Sequence, residues 1–275
     1  MLNEQSLAQE IPNNLKRENL VAWCVVPFDA KQRGPEERAE MLAELGLRKL
    51  AYDWREKHVP TWEDELKALK RHGIELSAFW CSSSLKPSTH PGNKRILDFL
   101  SKHSVQTELW FMLPTGQLDA IQDESERLDK AVAAVRDLAE AAAAFDCQVG
   151  LYNHGGWPGK PKNMVAIMEK LNDLENVGIV YNFHHAHEDL EEFPEALEAM
   201  KPYLMCLNLN GMTEGGAKII PLGQGERDVE MLRWVRKAGY EGPIGILDHR
   251  SEMDAMKSLQ QNLDGLESLW QRLPK

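Results

Sequence analysis

The chain has 275 residues, of which 43% are hydrophobic and 27% charged, a composition typical of a globular protein with one sizeable core. Its net charge of −11 argues against a nucleic acid or an anionic membrane as partner, because both require clustered Lys and Arg. No apolar stretch is long enough to cross a membrane, so we predict no nucleic-acid partner and no membrane partner.

The cysteines and the first residues give limited information on compartment. Cysteines at positions 24, 81, 147 and 206 lie in or beside apolar stretches without metal-site spacing, so we interpret them as buried free thiols. Residues 1–18 are polar and without pattern, and we predict a flexible leader there and one domain over residues 19–275. The leader has no signal-peptide pattern, which suits a cytoplasmic protein, although a trimmed signal would leave a secreted or periplasmic protein with this same sequence. The oligomeric state, a homo-oligomer included, stays open.

Short apolar segments alternate with helical patterns along the rest of the chain. Glycines at 46, 73 and 239 follow the last apolar residue of a helical pattern, where a left-handed residue ends helices, and Thr61 is placed to cap the next helix. Eight apolar segments predict strands, at 20–27, 50–54, 74–81, 109–113, 149–152, 177–182, 204–209 and 244–247. This alternation predicts a single (β/α)₈ TIM barrel. An open doubly wound sheet usually shows a glycine-rich turn after its first strand, and none follows the first segment here.

Polar and aromatic residues gather at the predicted strand ends, where the loops of a barrel converge on one mouth. Two histidines are candidate catalytic residues, His154 and His185. The candidate substrate-binding residues are Asp53, Trp54, Arg55, Trp80, Asn153, Trp157, Asn182, Asn208, Asn210, Asp248 and His249. Each one taken singly has the alternative of a buried residue satisfied by backbone, but the set indicates a functional mouth. Its tryptophans suit the faces of sugar rings, and Arg55 suits a carboxylate or phosphate, so the predicted partner is a small-molecule carbohydrate.

Three short motifs resemble the xylose isomerase-like barrel superfamily, which contains sugar phosphate isomerases and epimerases. They are Glu-Gly-Pro-Ile at 241–244, Pro-Leu-Gly-Gln-Gly-Glu-Arg-Asp at 221–228 and Asn-His-Gly-Gly at 153–156. The resemblance covers residues 19–272 and implies an enzyme that moves a proton next to a carbonyl on a sugar or sugar-derived acid. It also implies that His185 matches a histidine near the substrate in the epimerases.

The resemblance further implies one divalent metal held by Glu, Asp, His and Glu at the ends of strands five to eight. The matching positions here are Tyr152, Asn182, Asn208 and Leu247, which offer no carboxylate. We therefore predict no metal and no other cofactor. The alternative is an unusual imidazole site suited to zinc or another transition metal, formed from His154, His184, His185, His187 and His249.

Three functions are compatible with this reading of the sequence. We favour an isomerase, epimerase or lyase acting on carbohydrates, with His185 and His154 as general acid and base and the four asparagines as neutral donors. The alternative is a non-catalytic carbohydrate-binding barrel derived from such an enzyme, suggested by the missing metal ligands. A nuclease of the endonuclease IV kind is disfavoured by the net charge and by the same missing ligands.

Overall fold

The predicted strands form a closed barrel in which each strand pairs in parallel with the next, and the last pairs with the first. The computed structural model describes residues 9–274. The strands are β1 (Val21–Trp23), β2 (Lys49–Tyr52), β3 (Glu75–Cys81), β4 (Glu108–Phe111), β5 (Gln148–Tyr152), β6 (Val177–Asn182), β7 (Leu204–Leu209) and β8 (Ile244–Leu247). The predicted (β/α)₈ fold is confirmed.

Helices cover the outside of this barrel. They are α1 (Pro35–Glu44), α2 (Trp62–Arg71), α3 (Pro91–His103), α4 (Thr115–Asp119), α5 (Glu124–Ala143), α6 (Pro161–Lys170), α7 (Phe193–Met200), α8 (Asp228–Lys237) and α9 (Ala255–Arg272). None of them, within the described part of the chain, has the length and apolar character that a membrane crossing requires.

The predicted helix ends lie at the expected positions, but one of the expected capping hydrogen bonds is not formed. Gly46, Gly73 and Gly239 all have φ between 63° and 79°, the left-handed region where glycine carries no Cβ penalty. Thr61 is the N-cap residue of α2, as predicted, but its side chain makes no capping hydrogen bond. Its hydroxyl donates instead to the carbonyl of His58.

The alternation of side chains along the strands creates two cores. Outward residues pack under the helices, and inward residues form a separate cluster inside the barrel. The inward cluster contains Trp23, Ala51, Ala78, Trp110, Tyr152, Val180, Cys206 and Leu247. Because residues two positions apart share a face, the residues two beyond Ala51, Ala78, Trp110, Tyr152 and Leu247 lie at the carboxyl-end mouth.

The N-terminal segment is more ordered than its polar sequence suggests. Asn14 Nδ2 donates to the carbonyls of Tyr240 and Gly242, Trp270 Nε1 donates to the carbonyl of Glu10, and Leu15 is buried. The described part of the predicted leader is therefore packed rather than flexible, since it satisfies backbone acceptors of the domain. Residues 1–8 lie outside the described part of the chain. The four cysteines are free and buried, as predicted.

Candidate active site at the barrel mouth

A cavity of about 200 Å³ lies at the carboxyl ends of the strands. It is lined by Trp23, Cys24, Phe28, Asp53, Arg55, Trp80, Met112, Tyr152, His154, His184, His185 and His249. Both candidate catalytic histidines and four of the candidate substrate-binding residues therefore come together there. We call this space the mouth cavity.

Four histidines form a continuous row in the mouth cavity. The ring centres of His154 and His185 lie 4.3 Å apart, those of His185 and His184 also 4.3 Å, and those of His184 and His249 5.1 Å. Phe28 stacks on the far end of the row, 3.9 Å from the His249 ring. His154 and His185 are thus in contact side by side, and a ligand must lie on their shared face rather than between them.

A tight turn after β6 explains why two consecutive histidines enter the cavity. Residues Phe183–His185 form a 3₁₀ turn, which begins where the Asn182 side chain accepts the backbone N–H of His184 at 3.0 Å. An extended segment would have placed His184 and His185 on opposite faces, whereas the turn brings both into the cavity. His187 instead has its ring nitrogens at 3.1–3.2 Å from the carbonyls of Thr213 and Lys218.

Burial keeps these imidazoles uncharged. Loss of water, together with the neighbouring His184 and His154, lowers the pKa of His185 to about 2. Burial likewise lowers the pKa of His184 to about 4, and partial loss of water lowers those of the half-buried His249 and the more exposed His154. At neutral pH each ring is therefore neutral, with one N–H donor and one acceptor nitrogen.

Aromatic rings form the floor and one wall of the cavity. The Trp23 ring centre lies 5.5 Å from Trp80, 4.8 Å from Trp110 and 5.8 Å from Tyr152. Trp23 Nε1 donates to the Tyr152 hydroxyl oxygen at 3.0 Å, and Asn182 Nδ2 donates to the same oxygen. Burial raises the pKa of Tyr152 well above its usual range, so it remains a phenol. With both acceptor positions used, its O–H is free to donate.

Asp53 and Arg55 bring charge to the wall beside the loop after β1, which carries Val26 and Phe28. Asp53 lies two residues beyond the inward Ala51 of β2, and its Oδ1 accepts the N–H of Val26 at 3.2 Å. Burial raises the pKa of Asp53 to about 7, against the effect of Arg55, which lowers it. Arg55 Nη1 donates to the carbonyls of Asp53 and Trp54, and its guanidinium carbon lies 5.5 Å from the Phe28 ring centre.

Two residues at this wall have strained backbones. Cys24 has φ +56° and His249 φ +50°, a region that residues with a Cβ rarely occupy. The two are joined, because the N–H of His249 donates to the carbonyl of Cys24 at 3.1 Å. Strain of this kind persists where surrounding structure enforces it, and it is common at functional sites.

Three predicted substrate-binding residues point out of the barrel, because each is one position away from an inward residue. Trp54 donates to the Trp80 carbonyl and packs on the outer side of the barrel. Asn153 exchanges two hydrogen bonds with the backbone of Asn182, which ties β5 to β6. Asp248 accepts a hydrogen bond from Ser258 of α9. All three hold the barrel together and do not line the mouth cavity.

The other predicted residues outside the cavity have local partners. Asn182 and Asn208 point inward but are fully buried below the cavity, where they are paired in register. Asn210 binds the loop after β7 through the carbonyls of Gly211 and Lys218. Trp157 lies at the surface, where its Nε1 donates to Glu124 at 2.5 Å.

The sequence interpretation omitted several lining residues. Trp23 ends β1, and Met112 lies two residues beyond the inward Trp110, so counting alternate positions would have identified both. Cys24 and Phe28 lie in the loop after β1, and no periodic signal identifies them. Tyr152 was considered only as a lost metal ligand.

The residues at the family's metal position do not fit a divalent cation. Tyr152 is a neutral phenol, the Asn182 amide nitrogen faces it, and Leu247 is apolar. In the described part of the chain, the one group of three possible ligands with closely spaced donor atoms is Glu36, Glu40 and His72, outside the cavity. The mouth histidines thus do not form a compact imidazole set, and the absence of a metal stays a prediction.

Comparison with known proteins agrees with this barrel. The sequence pattern of the xylose isomerase-like TIM barrel family matches residues 39–269, and the chain belongs to that family. No curated protein shows a significant match to the sequence.

Solved structures share the fold at low sequence identity. A 3-keto-D-glucoside 4-epimerase from E. coli has a TM-score of 0.65 and 17% identity, covering 92% of this chain and 99% of its own. The IOLI protein with a bound zinc atom has a TM-score of 0.72 and 12% identity, covering 94% and 99%. A D-psicose 3-epimerase from Clostridium cellulolyticum H10, with D-tagatose, has 0.58 and 15%, covering 92% and 94%.

Proposed function

We propose that the chain is an enzyme that transfers a proton next to a carbonyl of a sugar or sugar-derived acid. The outcome would be an isomerisation, an epimerisation or an elimination. The observation that carries the proposal is the row of neutral histidines facing aromatic rings in one small cavity. The epimerases that share the fold, one of them with D-tagatose, support the substrate class.

The cavity has the features that a single sugar unit requires. Its volume of about 200 Å³ is below that of typical drug-sized ligand pockets, which favours one sugar ring over an oligosaccharide. The Trp80 ring offers a flat face for C–H groups, and Arg55 is the cation suited to a carboxylate or phosphate on the substrate.

His185 and His154 supply the acid and base functions in this proposal. Because both rings are neutral, an N–H of one can donate to the substrate carbonyl while the acceptor nitrogen of the other can take a proton from a substrate hydroxyl. Negative charge that develops on the carbonyl oxygen would be stabilised by such N–H groups and by the Tyr152 O–H. No step depends on a metal.

Solvent deuterium exchange tests the proposal. The protein is incubated with a panel of keto- and aldo-sugars and sugar acids in deuterated water, and incorporation at the carbon next to the carbonyl is followed by NMR. We expect His185→Gln and His154→Gln to abolish incorporation, since an amide cannot take or give the proton. Binding should stay within about tenfold, because Gln preserves hydrogen bonding. His72→Gln, outside the cavity, is the control.

The second candidate, a non-catalytic carbohydrate-binding barrel, is favoured by the lack of carboxylates at the metal position. It gives a different result in the same experiment. Wild-type protein would bind sugars by calorimetry, each histidine substitution would lower the affinity, and no sugar would acquire deuterium. That result would overturn the enzymatic proposal.

A further inference from the structure

One carboxyl in the mouth cavity has an unexplained free oxygen. Asp53 is 2% exposed, its Oδ1 is held by the N–H of Val26, and its Oδ2 has no hydrogen-bond partner in the described part of the chain. Buried polar atoms without a partner are costly and rare, so each one calls for a reason. Among the described residues that line the cavity, Asp53 is also the one carboxyl.

The position of Asp53 is fixed by the fold and directed at the ligand space. Its place two residues beyond inward Ala51 directs the side chain into the barrel, and the Val26 hydrogen bond orients the carboxyl group. By comparison, Asp248 also has an unpartnered Oδ2, but it points outward to α9 and does not line the cavity. Of these two unpartnered carboxyl oxygens, that of Asp53 is the one that can meet a ligand in the mouth cavity.

This inference rests on the proposed function. We propose that Asp53 is the base that removes the proton from the substrate carbon next to the carbonyl. The C–H bond breaks, the proton bonds to Oδ2, and the electron pair moves onto the carbonyl oxygen, where a neutral N–H of His185 or His154 donates to it. The imidazole gives its N–H proton to this oxygen and takes the proton of the neighbouring hydroxyl in its place. The former carbonyl carbon then takes the proton back from Oδ2 while the neighbouring C–O becomes the new carbonyl, which completes an isomerisation and regenerates the carboxylate.

The electrostatic surroundings support this division of roles. Arg55 and Arg38 favour the charged Asp53 carboxylate, whereas burial opposes it. Negative charge on Asp53 in turn raises the pKa of the buried Asp248 carboxyl. The Cys24 thiol and the Tyr152 phenol beside Asp53 remain protonated, because their pKa values are raised. The resulting pKa of about 7 suits a general base at neutral pH, whereas that of His185 suits a hydrogen-bond donor.

Asp53→Asn tests the assignment, because the amide keeps Oδ1 for Val26 and removes the basic oxygen. With the sugar that the wild type exchanges, we expect deuterium incorporation to fall at least about 100-fold, with KM changed less than about threefold. Glu108→Gln is the matched control. Glu108 is a largely buried carboxyl whose pKa is also raised to about 7, but it lies at the amino end of β4 and accepts from Trp110 Nε1.

The pH profile distinguishes a base from a structural role. In the wild type and in Glu108→Gln, log kcat should rise with unit slope below about pH 7 and then level off. The residual rate of Asp53→Asn should lack this limb, whereas a structural defect would lower the rate and keep the limb. Exchange by Asp53→Asn within threefold of wild type would overturn the role of Asp53 alone. Failure of the wild type to exchange any sugar would overturn the proposed function together with it.

Discussion

Replacing Asp53 by Asn should stabilise the fold, and by an amount that depends on pH. The carboxyl is buried, with its pKa raised from 3.8 to about 7. Between these values it is protonated in the folded state and ionised in the unfolded state, so stability is lost as the pH rises. From pH 5 to pH 7 the loss is about 1.4 kcal/mol per unit, or about 3 kcal/mol in all. Above pH 7 both states are ionised and the loss stops.

The Asn variant has no such titration and does not lose this stability. The free energy of unfolding of Asp53→Asn minus that of wild type should therefore grow by about 3 kcal/mol between pH 5 and pH 8. Urea denaturation of both proteins at the two pH values measures the change. Asp98→Asn, at an exposed position of α3, is the control and should differ from wild type by less than about 0.5 kcal/mol at either pH. A difference between Asp53→Asn and wild type that is the same at both pH values would refute the reasoning.

Two further predictions concern other buried ionisable groups. The pKa of His184 is lowered from 6.5 to about 4, so the wild type loses stability as the pH falls below 6.5. Between pH 6.5 and pH 5, His184→Gln should lose about 2 kcal/mol less of its free energy of unfolding than wild type, as measured by urea denaturation. Arg38 and Glu65 Oε2 form an ion pair in which both side chains are almost fully buried, and Glu65 Oε1 has no hydrogen-bond partner among the described residues. Arg38→Leu leaves that carboxyl unpaired and should cost about 3–5 kcal/mol by urea denaturation, and a loss below about 1 kcal/mol would contradict this account.

The fold was predictable because its signals are local. Each strand is a run of apolar residues buried on both faces, and Gly46, Gly73 and Gly239 mark helix ends through a backbone conformation that glycine adopts without strain. These signals can be recognised in the sequence without knowledge of tertiary contacts. The eight strands of the closed barrel therefore lie at the predicted places along the chain.

Which residues line the cavity was less predictable, because this depends on whether a side chain points into or out of the barrel. Asn153 and Asp248 are at strand ends, but a shift of one position directs them away from the cavity. The row of histidines depends on a 3₁₀ turn that Asn182 caps, a contact that sequence spacing does not reveal. Phe28 reaches the cavity from an irregular loop, where no periodicity applies.

Neutral side chains stand at the position of the family's metal ion, and under the proposed function this changes how the negative charge on the substrate is stabilised. A divalent ion would stabilise the negative charge that forms on the carbonyl oxygen, and Tyr152 with its Trp23 and Asn182 partners offers only neutral donors instead. Neutral donors raise the acidity of the substrate carbon less than a cation does, so the base must be stronger. Burial strengthens Asp53 as a base by raising its pKa, and the same burial costs folding stability. A catalytic loss and a stability gain in Asp53→Asn are therefore two results of one cause.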